Sequence, residues 1–71
     1  MKRTITKNEI IQKVRDWFEW DWNSTFITKP NTYTVNIDHE DCIYITGTWA
    51  DGKTDFCGLG NMYKFLWERG L

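Results

Sequence analysis

Two stretches of strictly alternating polarity dominate this chain, and they lie only three residues apart. Thr32 to Asp38 carries Tyr33, Val35 and Ile37 on one side and Thr34 and Asn36 on the other; Cys42 to Trp49 repeats the pattern with Ile43, Ile45 and Trp49. A period of two is what a strand with one buried face needs, because successive side chains leave opposite faces of the pleat. The connection His39-Glu40-Asp41 sets Ile37 opposite Ile43 and Val35 opposite Ile45. A two-residue connection would set Ile37 opposite Cys42 and mix the faces, so the longer loop is predicted.

A second hairpin is predicted at Asp51-Gly52, a dipeptide suited to the positive φ of both central positions of a type I′ turn. The register it implies sets Trp49 opposite Thr54 and Gly47 opposite Phe56, so that the phenyl ring covers the bare glycine. The third strand then runs from Thr54 to Cys57 and stops at Gly58-Leu59-Gly60. On this reading one face carries Tyr33, Val35, Ile37, Ile43, Ile45, Trp49 and Phe56. The other carries Thr32, Thr34, Asn36, Tyr44, Thr46, Thr48, Asp55 and both cysteines, and no element remains to cover it. Cys42 and Cys57 come out roughly 13 Å apart, too far for a disulfide.

Helices are predicted at both ends. Thr6-Lys7-Asn8-Glu9 is a capping box, and Ile5 and Ile10 flank it where a hydrophobic staple belongs. Ile10, Ile11, Val14, Trp17 and Phe18 then fall within an arc of roughly 120° at helical spacing. Asp21 would land on that apolar face, so the helix is expected to end near Trp20, with Asn23-Ser24 as loop. Thr25 to Thr28 reads as a short extended piece before a turn at Lys29-Pro30-Asn31. Asn61 caps a last helix over Met62 to Arg69, which Gly70 ends. The fold class is therefore α+β, helix–three strands–helix, with both helices on one sheet face.

A chain of 71 residues buries only about 60% of its unfolded surface, so one domain spanning 1–71 is expected, stabilised by a dense core. Aromatics make up 17% of the residues, five of them tryptophans. That is more ring area than so small an interior needs, and some rings are expected at the surface. Met1-Lys2-Arg3 has no apolar run after it, and nothing approaches a membrane span; a cytoplasmic protein with reduced thiols is the expectation.

Catalytic chemistry finds little footing. The single histidine, His39, is assigned to a hairpin tip away from both thiols, which does not make a Cys–His nucleophile. One histidine and two separated cysteines give three zinc ligands at best, and the acidic tip lacks the glycine of a calcium loop. No enzyme activity, no cofactor and no metal are predicted.

Binding remains. Asp38, Glu40 and Asp41 crowd one turn: a solvated tip that discourages edge association, or a patch meeting a basic protein surface. In Trp17-Phe18-x-Trp20-x-Trp22, the first two rings belong to the core, whereas Trp20 and Trp22, off the main stripe, are either core-edge rings or candidate anchors of the kind enriched in interface hot spots, with core edge the first reading. Tyr44 on the open face is a third. The cations are scattered through the chain and the net charge is −1, which argues against nucleic acid and anionic membrane as partners.

In size and type the chain is similar to the small proteins that phages and mobile elements encode against host enzymes or defence systems, such as anti-CRISPR proteins. That resemblance of kind implies an inhibitor acting by steric occlusion of another protein, through Trp20, Trp22, Tyr44 and the acidic residues Asp38, Glu40 and Asp41. The alternatives are a nucleic-acid-binding accessory protein using the open sheet face, and a homodimeric structural protein.

Overall fold

A computed structural model of the chain describes residues 5–71; Met1, Lys2, Arg3 and Thr4, and with them the basic start of the chain, lie outside the described residues. Helix α1 (Lys7–Asp21) is followed by a 3₁₀ turn (Trp22–Ser24), strands β1 (Thr32–Ile37), β2 (Cys42–Thr48) and β3 (Thr54–Asn61), and helix α2 (Met62–Arg69). The strands form one antiparallel sheet in the order β1-β2-β3. This is the predicted α+β order.

The cap of α1 forms as the sequence implies. The Thr6 hydroxyl accepts the Glu9 amide at 3.2 Å, satisfying a donor that the first helical turn cannot pair. Ile10, Val14, Trp17 and Phe18 are buried, and Ile5 packs on the same core ahead of the cap. The helix runs on to Asp21, and Asn23-Ser24 tightens into the 3₁₀ turn instead of an open loop. No strand forms over Thr25 to Thr28: Phe26 is buried while Ile27 is almost fully exposed.

Both hairpins use the same three-residue connection. In the first, the Asp38 amide donates to the Cys42 carbonyl at 3.0 Å, the Asp41 amide to the Asp38 carbonyl at 3.1 Å, and Asp41 has φ 61°. In the second, the Trp49 amide donates to the Lys53 carbonyl and the Gly52 amide to the Trp49 carbonyl, both at 2.9 Å, and Gly52 has φ 86°. A right-handed turn followed by a left-handed residue closes each loop. Gly52 is thus the third residue of Ala50-Asp51-Gly52, and not the second of a two-residue turn.

That one residue changes the register of β3. The first hairpin pairs Ile37 with Ile43 and Val35 with Ile45, as predicted. In the second, Thr54 faces Thr48, Phe56 faces Thr46 and Cys57 faces Ile45. A slip of one turns every side chain to the opposite face. Phe56 therefore stands on the outer face, 68% exposed, whereas Cys57 turns inward against the core. Asp55, opposite Gly47, is on the helix side of the sheet. The ring over Gly47 is not Phe56: a Cβ there would meet Pro30 Cβ at 2.9 Å and the Trp49 ring at 3.1 Å.

β3 also continues through Gly58-Leu59-Gly60, where the sequence reading stops it. Tyr44 faces Gly58 and Ile43 faces Gly60, leaving Leu59 as the extra residue of a bulge. Gly60, at φ 83°, redirects the chain. The Asn61 side chain then accepts the amides of Tyr63 at 2.9 Å and Lys64 at 3.2 Å, so the last strand residue is also the cap of α2. Gly70 ends α2 at φ 65°, and the Leu71 amide returns to the Leu66 carbonyl at 2.9 Å, a Schellman ending.

The two helices share one sheet face. Trp17 meets Phe65 edge-on with 5.0 Å between centroids, and Phe18 packs against Phe26 and Tyr33. Such ring pairs add about 0.5–1.5 kcal/mol each beyond area burial. They tie α1 to α2 and to β1 without help from a disulfide, since Cys42 and Cys57 are free thiols. No helix among the described residues is long and apolar enough to cross a membrane.

Candidate functional site

The acidic tip is mostly occupied by its own fold. The Asp38 carboxylate accepts the amides of Glu40 at 2.8 Å and Cys42 at 3.0 Å, and the Tyr44 hydroxyl also donates to it. The Cys42 amide above all, then those other donors, holds Asp38 below the usual carboxylate range against the opposing effect of burial. Asp41 places its carboxylate 3.4 Å from the Lys7 ammonium, and its carbonyl accepts the Met62 amide at 2.8 Å. Glu40 is the member that stands out into solvent, beside the exposed His39.

The same tip bears on thiol chemistry. Burial first, then the carboxylates of Asp38, Glu40 and Asp41, push the Cys42 thiol up. A nucleophilic cysteine needs the opposite, a neighbourhood that favours thiolate. No group of three or more His, Cys, Asp or Glu placed to hold a metal ion occurs among the described residues.

The predicted aromatic anchors separate. Trp20 projects from α1 with 82% of its surface exposed. Trp22 packs against the edge of the core instead. Tyr44 lies half-buried on the outer sheet face, its ring over Gly58, with the Asp38 carboxylate both repelling and binding its hydroxyl so that its pKa is raised.

Three exposed rings were not singled out from the sequence. Trp67 is 84% exposed and shares a flank of α2 with the exposed Tyr63, one turn earlier. The signal was present: Met62, Phe65, Leu66 and Arg69 lie along one side of the helix, which leaves Tyr63 and Trp67 beside that stripe and not in it. Phe56 was hidden by the register error.

Two shallow, open grooves cross the surface. One, of about 580 Å³, is lined by Lys13, Asp16, Trp17, Trp20, Asp21, Arg69 and Leu71, and runs between α1 and the end of α2. The Arg69 guanidinium lies 5.0 Å from the Trp17 ring centroid and 3.9 Å from that of Phe65, fixing one wall. The other, of about 600 Å³, lies between Thr25–Thr28 and the second hairpin, with Trp49 as its aromatic wall.

Several of the described cations are engaged. Lys29 pairs with Glu19 at 2.9 Å and Lys7 with Asp41, while Arg15 and Arg69 stack on aromatic faces. Among the described residues, the strands' outer face, with Thr34, Asn36, Tyr44, Thr46, Thr54 and Phe56, carries no Lys or Arg. A stacking platform for nucleic acid normally sits beside a basic groove, and this one does not. The chain matches no protein-family model, no curated protein and no solved structure.

Proposed function

We propose that the protein is a non-enzymatic binding module that occupies the surface of another protein, with Trp20 as its principal anchor. One observation carries this reading: Trp20 is exposed by more than four-fifths at the rim of a groove built from Trp17, Arg69 and Leu71. A tryptophan left in water forgoes one of the largest apolar gains a side chain can make, and a partner pocket recovers it. The groove rim holds Lys13 and Arg69 against Asp16 and Asp21, so a partner with charges of both signs around an apolar pocket suits it. Trp67 and Tyr63 form a second exposed aromatic surface on α2.

Occlusion of a host enzyme or defence component in the cytoplasm, in the manner of small phage-encoded inhibitors, is the role we favour for such a module. The uncharged outer sheet and the engaged cations weigh against the nucleic-acid reading. The test is an affinity capture from bacterial lysate with wild type, Trp20→Ala and Glu40→Ala, each with and without nuclease. A single stoichiometric protein that survives nuclease and is lost with W20A is the expected result. Capture that W20A leaves intact would remove Trp20 from the mechanism, and a species lost on nuclease treatment would bring the sheet face forward instead.

A further inference from the structure

The two edges of the sheet are not equally protected. β3 carries a bulge at Leu59, two glycines and the inward-turned Asp55, all devices that discourage another strand from pairing. β1 has none of them. Its residues Thr32–Ile37 contain no charge, no proline, no glycine and no bulge. The Asp38 amide bonds the Cys42 carbonyl, so by the antiparallel alternation Thr32, Thr34 and Asn36 also turn their main-chain groups toward β2. Tyr33, Val35 and Ile37 therefore turn theirs outward, and no described residue bonds those three amides.

We propose that this edge is a self-association site: two copies of the chain pair their β1 strands antiparallel about a twofold axis at Val35. A twofold axis in this place gives an isologous interface, the same surface on both copies. The hydrogen-bonding pattern selects the register. With Val35 opposite Val35 and Tyr33 opposite Ile37, every outward amide of β1 finds a carbonyl, and a shift by two residues in either direction strands one of them. The half-buried Tyr33 and Ile37 then meet on the inner face beside the buried Val35, extending the apolar surface that the helices already cover.

Antiparallel pairing also sets the two Asp38–Asp41 tips at opposite ends of the junction. A parallel arrangement would stack tip on tip. The result is a continuous sheet whose outer face stays uncharged across both copies. The site is separate from the Trp20 groove, and its test does not depend on that groove's partner.

In this register Thr34 of one copy lies opposite Asn36 of the other, and both side chains are exposed on the outer face. The experiment is sedimentation velocity over a concentration series for the wild type, T34K/N36K, T34E/N36E and the mixture of the two variants. Wild type should approach twice the 8.6 kDa chain mass. Each variant should stay at the single mass with an unchanged circular-dichroism spectrum, and the mixture should return to the double mass. Amide exchange at Val35 gives a readout without substitution, with protection rising with concentration. A wild type that stays at the single mass throughout, a T34K/N36K variant that still dimerises, or Val35 exchange indifferent to concentration overturns the proposal.

Discussion

The main-chain carbonyl of Asp41 accepts the Met62 amide at 2.8 Å, so the turn of the first hairpin holds the first residue of the last helix. The Asp41 carboxylate meanwhile reaches Lys7 in the first turn of α1. One loop residue thus braces both helix starts, and it does so from a left-handed backbone at φ 61°. Asp tolerates that region better than most residues, and glycine tolerates it freely.

Asp41→Gly and Asp41→Ala both delete the Lys7 pair, an exposed contact of small worth. Only alanine keeps a Cβ in the disfavoured region. D41A should therefore be less stable than D41G by about 1 kcal/mol, measured by urea denaturation. Equal stability of the two would mean that the loop relaxes away from φ 61°.

Asp38 should contribute to the acid limb of the stability curve. Its pKa is lowered, chiefly by the Cys42 amide and further by those of Glu40 and the Tyr44 hydroxyl. A depressed folded pKa means stabilisation that is present above the ordinary carboxylate value of about 3.9 and is lost as pH falls through the lower folded value. Glu19, lowered by Lys29 and Tyr33, acts in the same direction. Asp38→Asn should flatten the fall in melting temperature below about pH 4.

At the alkaline end the phenol of Tyr33 should be conspicuous. Burial first, then its 2.8 Å hydrogen bond to Glu19, pushes it up to about 12. A raised folded pKa contributes stability below the ordinary tyrosine value of about 10, lost as pH rises through the folded one. Ultraviolet titration should show a late tyrosinate step that Tyr33→Phe removes. Glu19→Gln should lower that step only partway, because burial is the larger cause and survives the change.

What the sequence made legible was what is local or strictly periodic. The Thr6 cap, the stripe from Ile10 to Phe18, the pairing of Ile37 with Ile43 and the Asn61 and Gly70 ends of α2 each rest on neighbours a few residues apart. The second hairpin failed because Asp51-Gly52 serves two turn geometries, and only tertiary packing chooses between them. Pro30 and Trp49 fill the space over Gly47, a contact between segments that strand-by-strand pairing does not consider. Of the candidate site, the position of Trp20 off the stripe fits a core-edge ring as well as an exposed one, and only the packing leaves it in solvent. The internal use of Asp38 and Asp41 was not legible, since their partners at Cys42, Lys7 and Met62 are set by the turn and the helix packing.

The register itself yields the sharpest mutational contrast. If Phe56 covered Gly47 in the interior, removing its ring would cost about 3–5 kcal/mol, as for any buried phenylalanine. On the outer face at 68% exposure, Phe56→Thr should change stability by no more than about 0.5 kcal/mol. Phe65→Ala, in the core at 2% exposure, should instead lose about 3–5 kcal/mol. Gly47→Ala is the complement. Its new methyl group would lie 2.9 Å from a proline ring carbon whose position the chain fixes, so it should lose about 1–3 kcal/mol by overpacking. Denaturant unfolding of these variants reads both sides of the sheet at once: a costly F56T with a neutral G47A would restore the two-residue turn.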